Sequence, residues 1–519
     1  MIELDGSHLT IGDLEAVARH GEQVALSHSA REAVDRAHRW TLSMVDNSKP
    51  VYGINTGFGI FSDQRIDAKD AATLSRNLIL SHAVCTGPAL PRDVVRAAML
   101  VRANALAKGH SGVRVELIQT LLEMLNRGVT PVIPSQGSLG SSGDLGPLSH
   151  LALVFTTDDA DREEESGQAE LNGAVMSGKA AMAAARLERI RLGAKEGLAL
   201  NNGATFSAAI TALAVYDAWN LLDTADVALS MSLEALLGSS LAFDPRLNEA
   251  RGHPGQLAVA ENVRRLTRNS RLLDSTGRVQ DAYSLRCAPQ VHGAARDTLD
   301  FVAKMIEREI NAATDNPLLF ESGVALSGGN FHGEPVGMAA DFLGIALAEL
   351  AAISERRIFR LVDGRLNGGL PPMLVDTPEA AGLNSGLMMP QYTAASLVLE
   401  NQTLAHPDSV HSLPTSGEQE DHNANAMTAA LHARQITDNT AHVLAIEVYT
   451  AARALDLRLR QLPGALPGLG ASAAYHRVRS TIPYRAGDSL WGPEIEKVYS
   501  LIVSGELAKT VWQAVENHN

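Results

Sequence analysis

Pro131-Val-Ile-Pro-Ser-Gln-Gly-Ser-Leu-Gly-Ser-Ser-Gly-Asp-Leu-Gly-Pro147 interrupts a chain that otherwise reads as helix after helix. Proline and glycine recur too densely in it for a helix or a central strand, so the composition predicts an irregular loop. Upstream the helix signals are explicit. Thr10-x-x-Asp13 opens an amphipathic stretch that Gly21 closes, and Ser29-x-x-Glu32 reads as a second capping box. Pro91 at a first helical turn, with Gly109 as the stop, frames another helix, and a further one ends at Gly128. Downstream, Ala- and Leu-rich periodic stretches at 204–237, 297–312, 336–361 and 424–459 are separated by short Gly, Pro and Asn breaks, which predicts a bundle. The pattern therefore divides the chain into a mixed N-terminal domain (1–205) carrying the loop and a long helical-bundle domain (206–519). The fold class is mainly α.

Composition supports this reading. The chain has 519 residues, of which 45% are hydrophobic and only 4% aromatic, so its core is built from Ala, Leu, Val and Ile. Basic residues number 44 against 59 acidic, a net charge of −15, which argues against a general nucleic-acid binder. Two cysteines, Cys85 and Cys287, cannot make a disulfide framework or a Cys-rich zinc site. The N-terminal residues lack the basic start and apolar run of a signal peptide, and no uninterrupted apolar run reaches membrane-spanning length, so no membrane association and a cytoplasmic location are expected. Between Asp158 and Glu165 six of eight residues are acidic, read as a solvated surface excursion rather than a cation site.

The glycines of the loop have no following Lys at Walker spacing, so a phosphate loop is a poor match, and a plain structural turn is the simplest alternative. Ser141-Ser142-Gly143 admits a covalent reading as well. In a tightly held loop the Gly143 nitrogen can attack the carbonyl carbon of Ser141, glycine being the residue that best tolerates such backbone crowding. Loss of water closes a five-membered ring, and dehydration of Ser142 leaves an exocyclic methylidene. The product is an electrophile made from the chain itself.

Gly137-Ser-Leu-Gly-Ser-Ser-Gly-Asp-Leu145 closely resembles the signature of the ammonia-lyases that form the 4-methylidene-imidazol-5-one (MIO) group, with Ser141 in the place of the usual Ala. Only the carbonyl of that residue enters the ring, so the change is expected to be tolerated. Further family motifs follow in order: Tyr52-Gly-Ile-Asn-Thr-Gly-Phe-Gly59, Lys195 through Asn202-Gly203, Gln280-Asp-Ala-Tyr283-Ser-Leu-Arg286, Gly328-Gly-Asn-Phe331-His, and Gln419-Glu420-Asp-His422. The resemblance spans nearly the whole chain. It implies an aspartase/fumarase-like fold, an MIO cofactor formed from Ser141-Ser142-Gly143, and a homotetramer whose active sites are shared between subunits.

The same resemblance suggests roles. Tyr52 is the candidate base for the β-proton, against the alternative of a phenol that merely caps a loop. Tyr283 lies three residues after Gln280 and three before Arg286, so one helical turn would bring them to a common face. Arg286 then offers a guanidinium fork to the substrate carboxylate, its alternative being a surface ion pair. Asn202 and Gln280 are amides suited to orienting the MIO carbonyl, the carboxylate or a water. Phe331 would pack on the substrate or the ring, and Glu420 would take up the ammonium proton, pair with a cationic substrate ring, or form a structural ion pair.

In the family this chain resembles, a pair of residues in the first-domain helix faces the substrate side chain. Here that pair is Ser81-His82, the combination of histidine ammonia-lyases, whereas phenylalanine-type enzymes have Phe-Leu and tyrosine-type enzymes His-Leu. The implied reaction is elimination of ammonia from L-histidine to give urocanate. The alternatives are an MIO-dependent lyase or a 2,3-aminomutase for another aromatic or heteroaromatic amino acid, and a non-catalytic scaffold. Asn201, Tyr392, Gln402 and His411 depart from the histidine-lyase pattern, and Asn201 bears on the exact substrate because it adjoins Asn202. His406, His411 and His422 lack a paired spacing with a third ligand, so no metal is expected. Gly468-x-Gly470 lacks the strand of a dinucleotide site.

Overall fold

A computed structural model describes residues 1–45 and 49–518. Helix accounts for 60% of the chain. The chain forms two compact units. The first comprises Met1–Tyr216, Val302–Asp341 and Pro407–His432, and the second Asp217–Phe301, Phe342–His406 and Ala433–Asn519. The change of sequence pattern near residue 205 and this partition are different divisions of the chain, since the helix Thr205–Ala235 begins in the first unit and ends in the second.

The long helices follow the periodic stretches closely: Thr205–Ala235, Ala288–Glu309, Glu334–Val362 and Ala426–Gln461. In the second unit they are joined by polar groups set into apolar surroundings. The buried Glu447 carboxylate accepts from Ser232 Oγ (2.7 Å), Ser354 Oγ (2.6 Å) and both Nε and Nη2 of Arg357 (2.5 and 2.7 Å). A charge buried this deeply persists only when paired and fully hydrogen-bonded. Glu334–Val362 is long and apolar enough to cross a membrane by length and composition, but 72% of its apolar window is buried within the molecule, as in a core helix.

In the first unit the helix Arg92–Ala107 is buried on every side from Val94 to Ala107, the signature of a core helix rather than an amphipathic one. Strands are short. Thr130–Pro131, Gln168–Leu171 and Ala174–Ser177 form an antiparallel three-stranded sheet, and Thr86–Ala89 pairs with Pro134–Gln136. The capping box at Thr10 and Asp13 is present, with Gly21 in the left-handed region at φ 69°. The second is shifted: the helix starts at His28, and Ser27 Oγ accepts the Ala30 N–H (3.2 Å), so Ser29 lies inside the first turn. The acidic run lies at the surface, with Asp159, Glu163 and Glu164 exposed, and Asp161 is an anchored member of it. Asp161 receives Thr157 Oγ1 (2.7 Å), pairs with Arg189 and Lys179, and is held down to about 2, chiefly by the Lys179 and Thr157 hydrogen bonds.

Candidate active site

The Pro/Gly-rich loop loses regular structure between Gly137 and Asp144, and the helix Leu145–Phe155 follows at once. Its shape is set by anchors at both ends. Asp144 is fully buried, and its carboxylate receives Ser138 Oγ (2.8 Å), Ser207 N–H (2.9 Å) and Ser207 Oγ (2.9 Å). Burial raises its pKa above the ordinary carboxylate value, and these hydrogen bonds work in the opposite direction. At the other end Ser141 Oγ receives the Ala424 N–H (3.0 Å), and the Gly140 carbonyl receives the Gly333 N–H (2.8 Å).

Between these anchors the backbone is crowded. Gly143 sits at φ +83°, and a Cβ there would come within 2.0 Å of the Gly203 nitrogen. Only glycine fits this approach. The two strands of chain are joined by Asp144 N–H to Gly203 O (2.9 Å) and Gly203 N–H to Ser142 O (3.3 Å). Asn202 Nδ2 also donates to the Ser142 carbonyl (2.6 Å). The Ser142 hydroxyl donates to Glu420 Oε1 (2.7 Å), whose second oxygen receives Thr415 Oγ1 (3.2 Å). These features fit the proposed ring: the nitrogen that must attack lies in a tight glycine turn, and the oxygen that would become the ring carbonyl already has two N–H donors.

Ser141 and Ser142 open onto a cavity of about 1450 Å³ within the first unit. Its wall brings together Tyr52, Ser81, His82, Asn202, Phe331 and Glu420 from segments far apart in sequence. Tyr52 is placed by a loop that Asn55 folds, accepting the Val51 N–H (2.7 Å) and donating to the Met44 carbonyl (3.3 Å). The Gly59 N–H donates to the Tyr52 hydroxyl oxygen (3.2 Å), which aims the phenol. Ser81 and His82 close the helix Ala71–His82, with Ser81 Oγ 3.0 Å from His82 Nδ1. Burial lowers the His82 pKa against the opposing Leu78 backbone bond and Glu420 charge, favouring a neutral imidazole. Cys85 lies beside the loop, but burial, followed by the Asp144 charge, pushes its thiol up to about 11, so it is no nucleophile at neutral pH.

Gln280, Tyr283 and Arg286 belong to the second unit and are not in the cavity wall. Only Tyr283–Arg286 is helical; Gln280 precedes the helix in a segment without regular structure, so the common helical face expected for the three does not form. Tyr283 is 70% exposed, and the Arg286 guanidinium lies 4.7 Å from its ring centroid while Nε donates to the Asp281 carbonyl (2.9 Å). Asn201 is buried with its Nδ2 on Ser149 Oγ (3.2 Å), away from the cavity wall. Tyr392, Gln402 and His411 are also absent from that wall. The residues missed in the sequence are Thr415, five positions before Glu420, and Asn77, one helical turn before Ser81; the latter spacing is a signal that helix periodicity carries.

A site of this kind, built on a serine-glycine turn against an acid, an amide and a phenol, has known counterparts. The chain belongs to the aromatic amino acid lyase family, whose sequence model matches residues 9–480, and is a carbon–nitrogen lyase. It is 50% identical over 512 residues to a histidine ammonia-lyase of Gloeobacter violaceus, covering 98% of this chain and 97% of that one. Among solved structures it resembles a histidine ammonia-lyase from Trypanosoma cruzi (TM-score 0.89, 38% identity, 99% and 95% coverage). It also resembles a tyrosine aminomutase from Streptomyces globisporus (TM-score 0.91, 33% identity, 99% and 98% coverage). The fold is accordingly the mainly helical, aspartase/fumarase-like one.

Proposed function

We propose that this chain eliminates ammonia from L-histidine to give urocanate, using an MIO group formed from Ser141, Ser142 and Gly143. The observation that carries the reading is one cavity in which the Ser142 turn and the Ser81-His82 pair are both exposed. The MIO group, once formed, supplies an electrophile for the substrate amine and so improves a poor leaving group. The remaining work falls to side chains. Tyr52, held by the Gly59 N–H, takes the β-proton. The neutral His82 imidazole, with a donor and an acceptor, meets the substrate imidazole. Glu420 takes up the proton of the substrate ammonium, freeing the amine to react, and Asn202 fixes the carbonyl of Ser142. Phe331 lies along the wall as an apolar surface for the substrate.

The same reading makes the enzyme a homotetramer with composite sites. Tyr283 stands exposed on a single chain and Arg286 half-buried beside it, where water would compete for the substrate carboxylate. The cavity also exceeds the roughly 300–1,000 Å³ of most enclosed ligand sites, leaving room for groups contributed by neighbouring subunits. Gln280, Tyr283 and Arg286 are assigned that role. Mixing inactive Tyr52→Phe chains with inactive Arg286→Ala chains restores activity on this reading, and an active monomer in sedimentation refutes it.

The decisive test pairs a panel of amino acids, assayed for ammonia release, with the intact mass of the chain. Urocanate and ammonia from histidine, with a mass short of the sequence by two waters, are expected. A β-amino acid product would mean an aminomutase. An unmodified mass with activity retained removes the MIO mechanism.

A further inference from the structure

Ser142 Oγ is the atom that must leave if the loop dehydrates, and it donates a hydrogen bond to Glu420 Oε1 at 2.7 Å. The carboxyl is not free to wander. Thr415 Oγ1 holds the other oxygen at 3.2 Å, and Thr415 and Glu420 exchange backbone hydrogen bonds (2.8 and 3.3 Å) as an antiparallel bridge. That bridge is tied down in turn by the buried Asn423, whose N–H donates to Ser412 Oγ (2.7 Å) and whose Nδ2 donates to the Leu413 carbonyl. A carboxyl fixed at hydrogen-bond distance from a leaving hydroxyl meets the geometric requirement for a general acid. Other hydroxyls of the loop are engaged differently: Ser141 Oγ faces the Leu139 carbonyl and the Ala424 N–H, and Ser138 Oγ donates to Asp144.

We infer that Glu420 acts first on the chain itself, as the acid that expels the Ser142 hydroxyl during maturation, with Thr415 as its positioning residue. The assignment rests on the MIO reading above. Once the loop has closed and lost its first water, the Glu420 carboxylate takes a proton from solvent water and gives it to Oγ as the Cβ–Oγ bond breaks. The Cα–H electrons of Ser142 become the Cα=Cβ bond and the Cα proton passes to solvent water, which leaves Glu420 as the carboxylate it was. One water leaves, and nothing is oxidised or reduced. After that loss the Ser142 hydroxyl no longer occupies Oε1, so the same carboxyl is vacated for substrate, while Thr415 keeps Oε2 in place.

The test follows the intact mass of chain made by cell-free synthesis, sampled over time, with circular dichroism to confirm folding. Wild type should lose two waters. Glu420→Gln, which keeps the shape but cannot supply the proton, should lose the first and shed the second about a hundredfold more slowly, accumulating chain lighter by one water. Thr415→Val should slow the second loss roughly tenfold, and Thr415→Ser, which restores the hydroxyl, should recover it. Loss of both waters by Glu420→Gln at the wild-type rate overturns the inference. So does a folded Glu420→Gln that loses no water, since the acid would then serve ring closure instead. If Glu420→Gln does not fold, maturation of Thr415→Val at the wild-type rate overturns it. A wild-type chain that loses no water is a separate outcome, which refutes the MIO reading itself.

Discussion

Gly143→Ala isolates the contact on which both the fold of the loop and its chemistry depend. Two costs are expected. The first is conformational: alanine at φ +83° occupies the left-handed region, at about 1–2 kcal/mol, partly offset by about 0.4–1 kcal/mol because alanine restricts the unfolded chain. The second is steric. The new Cβ would meet Gly203 N, C and Cα at 2.0, 2.2 and 2.3 Å, all backbone atoms that no side-chain rotation can move. The two segments must separate, losing the Asp144 N–H to Gly203 O and Gly203 N–H to Ser142 O bonds, each worth about 1 kcal/mol net. The sum is about 3 kcal/mol. Gly173→Ala is the matched control, because Gly173 has nearly the same φ of +80° and nothing within 4 Å of the added Cβ. It should cost about 1 kcal/mol or less and leave maturation untouched. Urea denaturation gives the two stabilities, and intact mass reports whether the two waters have gone. Gly143→Ala as stable as Gly173→Ala, with both waters lost, would refute the claim that the close approach to Gly203 shapes the loop.

Three further outcomes are expected. His82→Leu should lower the specificity constant for histidine by about ten- to a hundredfold, the equivalent of roughly 1–3 kcal/mol for one stranded partner, while the two-water mass deficit persists. An unchanged ratio of histidine to phenylalanine turnover makes His82 a structural residue. Lys195 and Asp315 form an ion pair in which the side chains are 0% and 1% exposed, so Lys195→Met should cost about 3–5 kcal/mol by leaving a buried carboxylate without its counter-charge; the denaturation midpoint checks this. Glu234, buried against the Gly468 N–H, has its carboxyl raised to about 8 by burial. Folded chain therefore holds a proton that unfolded chain releases above the ordinary carboxylate range, and stability present at acid pH is lost as pH rises towards 8. Glu234→Gln should flatten that decline in thermal melts between pH 5 and 8, and a decline as steep as wild type would contradict it.

Local pattern is enough for the long helices but not for the short strands Thr130–Pro131 and Pro134–Gln136, which lie at the start of the Pro/Gly-rich loop. Helix length and position came from apolar periodicity, and the Thr10 cap and Gly21 stop are local hydrogen-bond and φ requirements that residues a few places apart satisfy. The Ser29 box failed because Ser27 offers the same chemistry two residues earlier, and only the path of the chain entering the helix selects between them. Gly143 and Ser142 were legible as a reactive pair because covalent chemistry needs particular atoms in sequence.

What the sequence by itself determined about this protein is therefore its helical class, the Ser/Gly-rich loop and the residue types it offers. Which of those residues share a cavity was decided only by the tertiary structure. Ser142 and Glu420 are 278 positions apart yet 2.7 Å in space, and no periodicity links them. Asn201 and Asn202 are neighbours in sequence, but one faces Ser149 and the other Ser142, because the helix Glu196–Asn201 ends between them and turns the chain. Nothing local marks Thr415; the backbone bridge to Glu420 places its hydroxyl on the carboxylate. Short-range order is written in propensities and caps. Proximity across hundreds of residues is set by which buried groups find partners when the helices pack, as Asp144 finds Ser207.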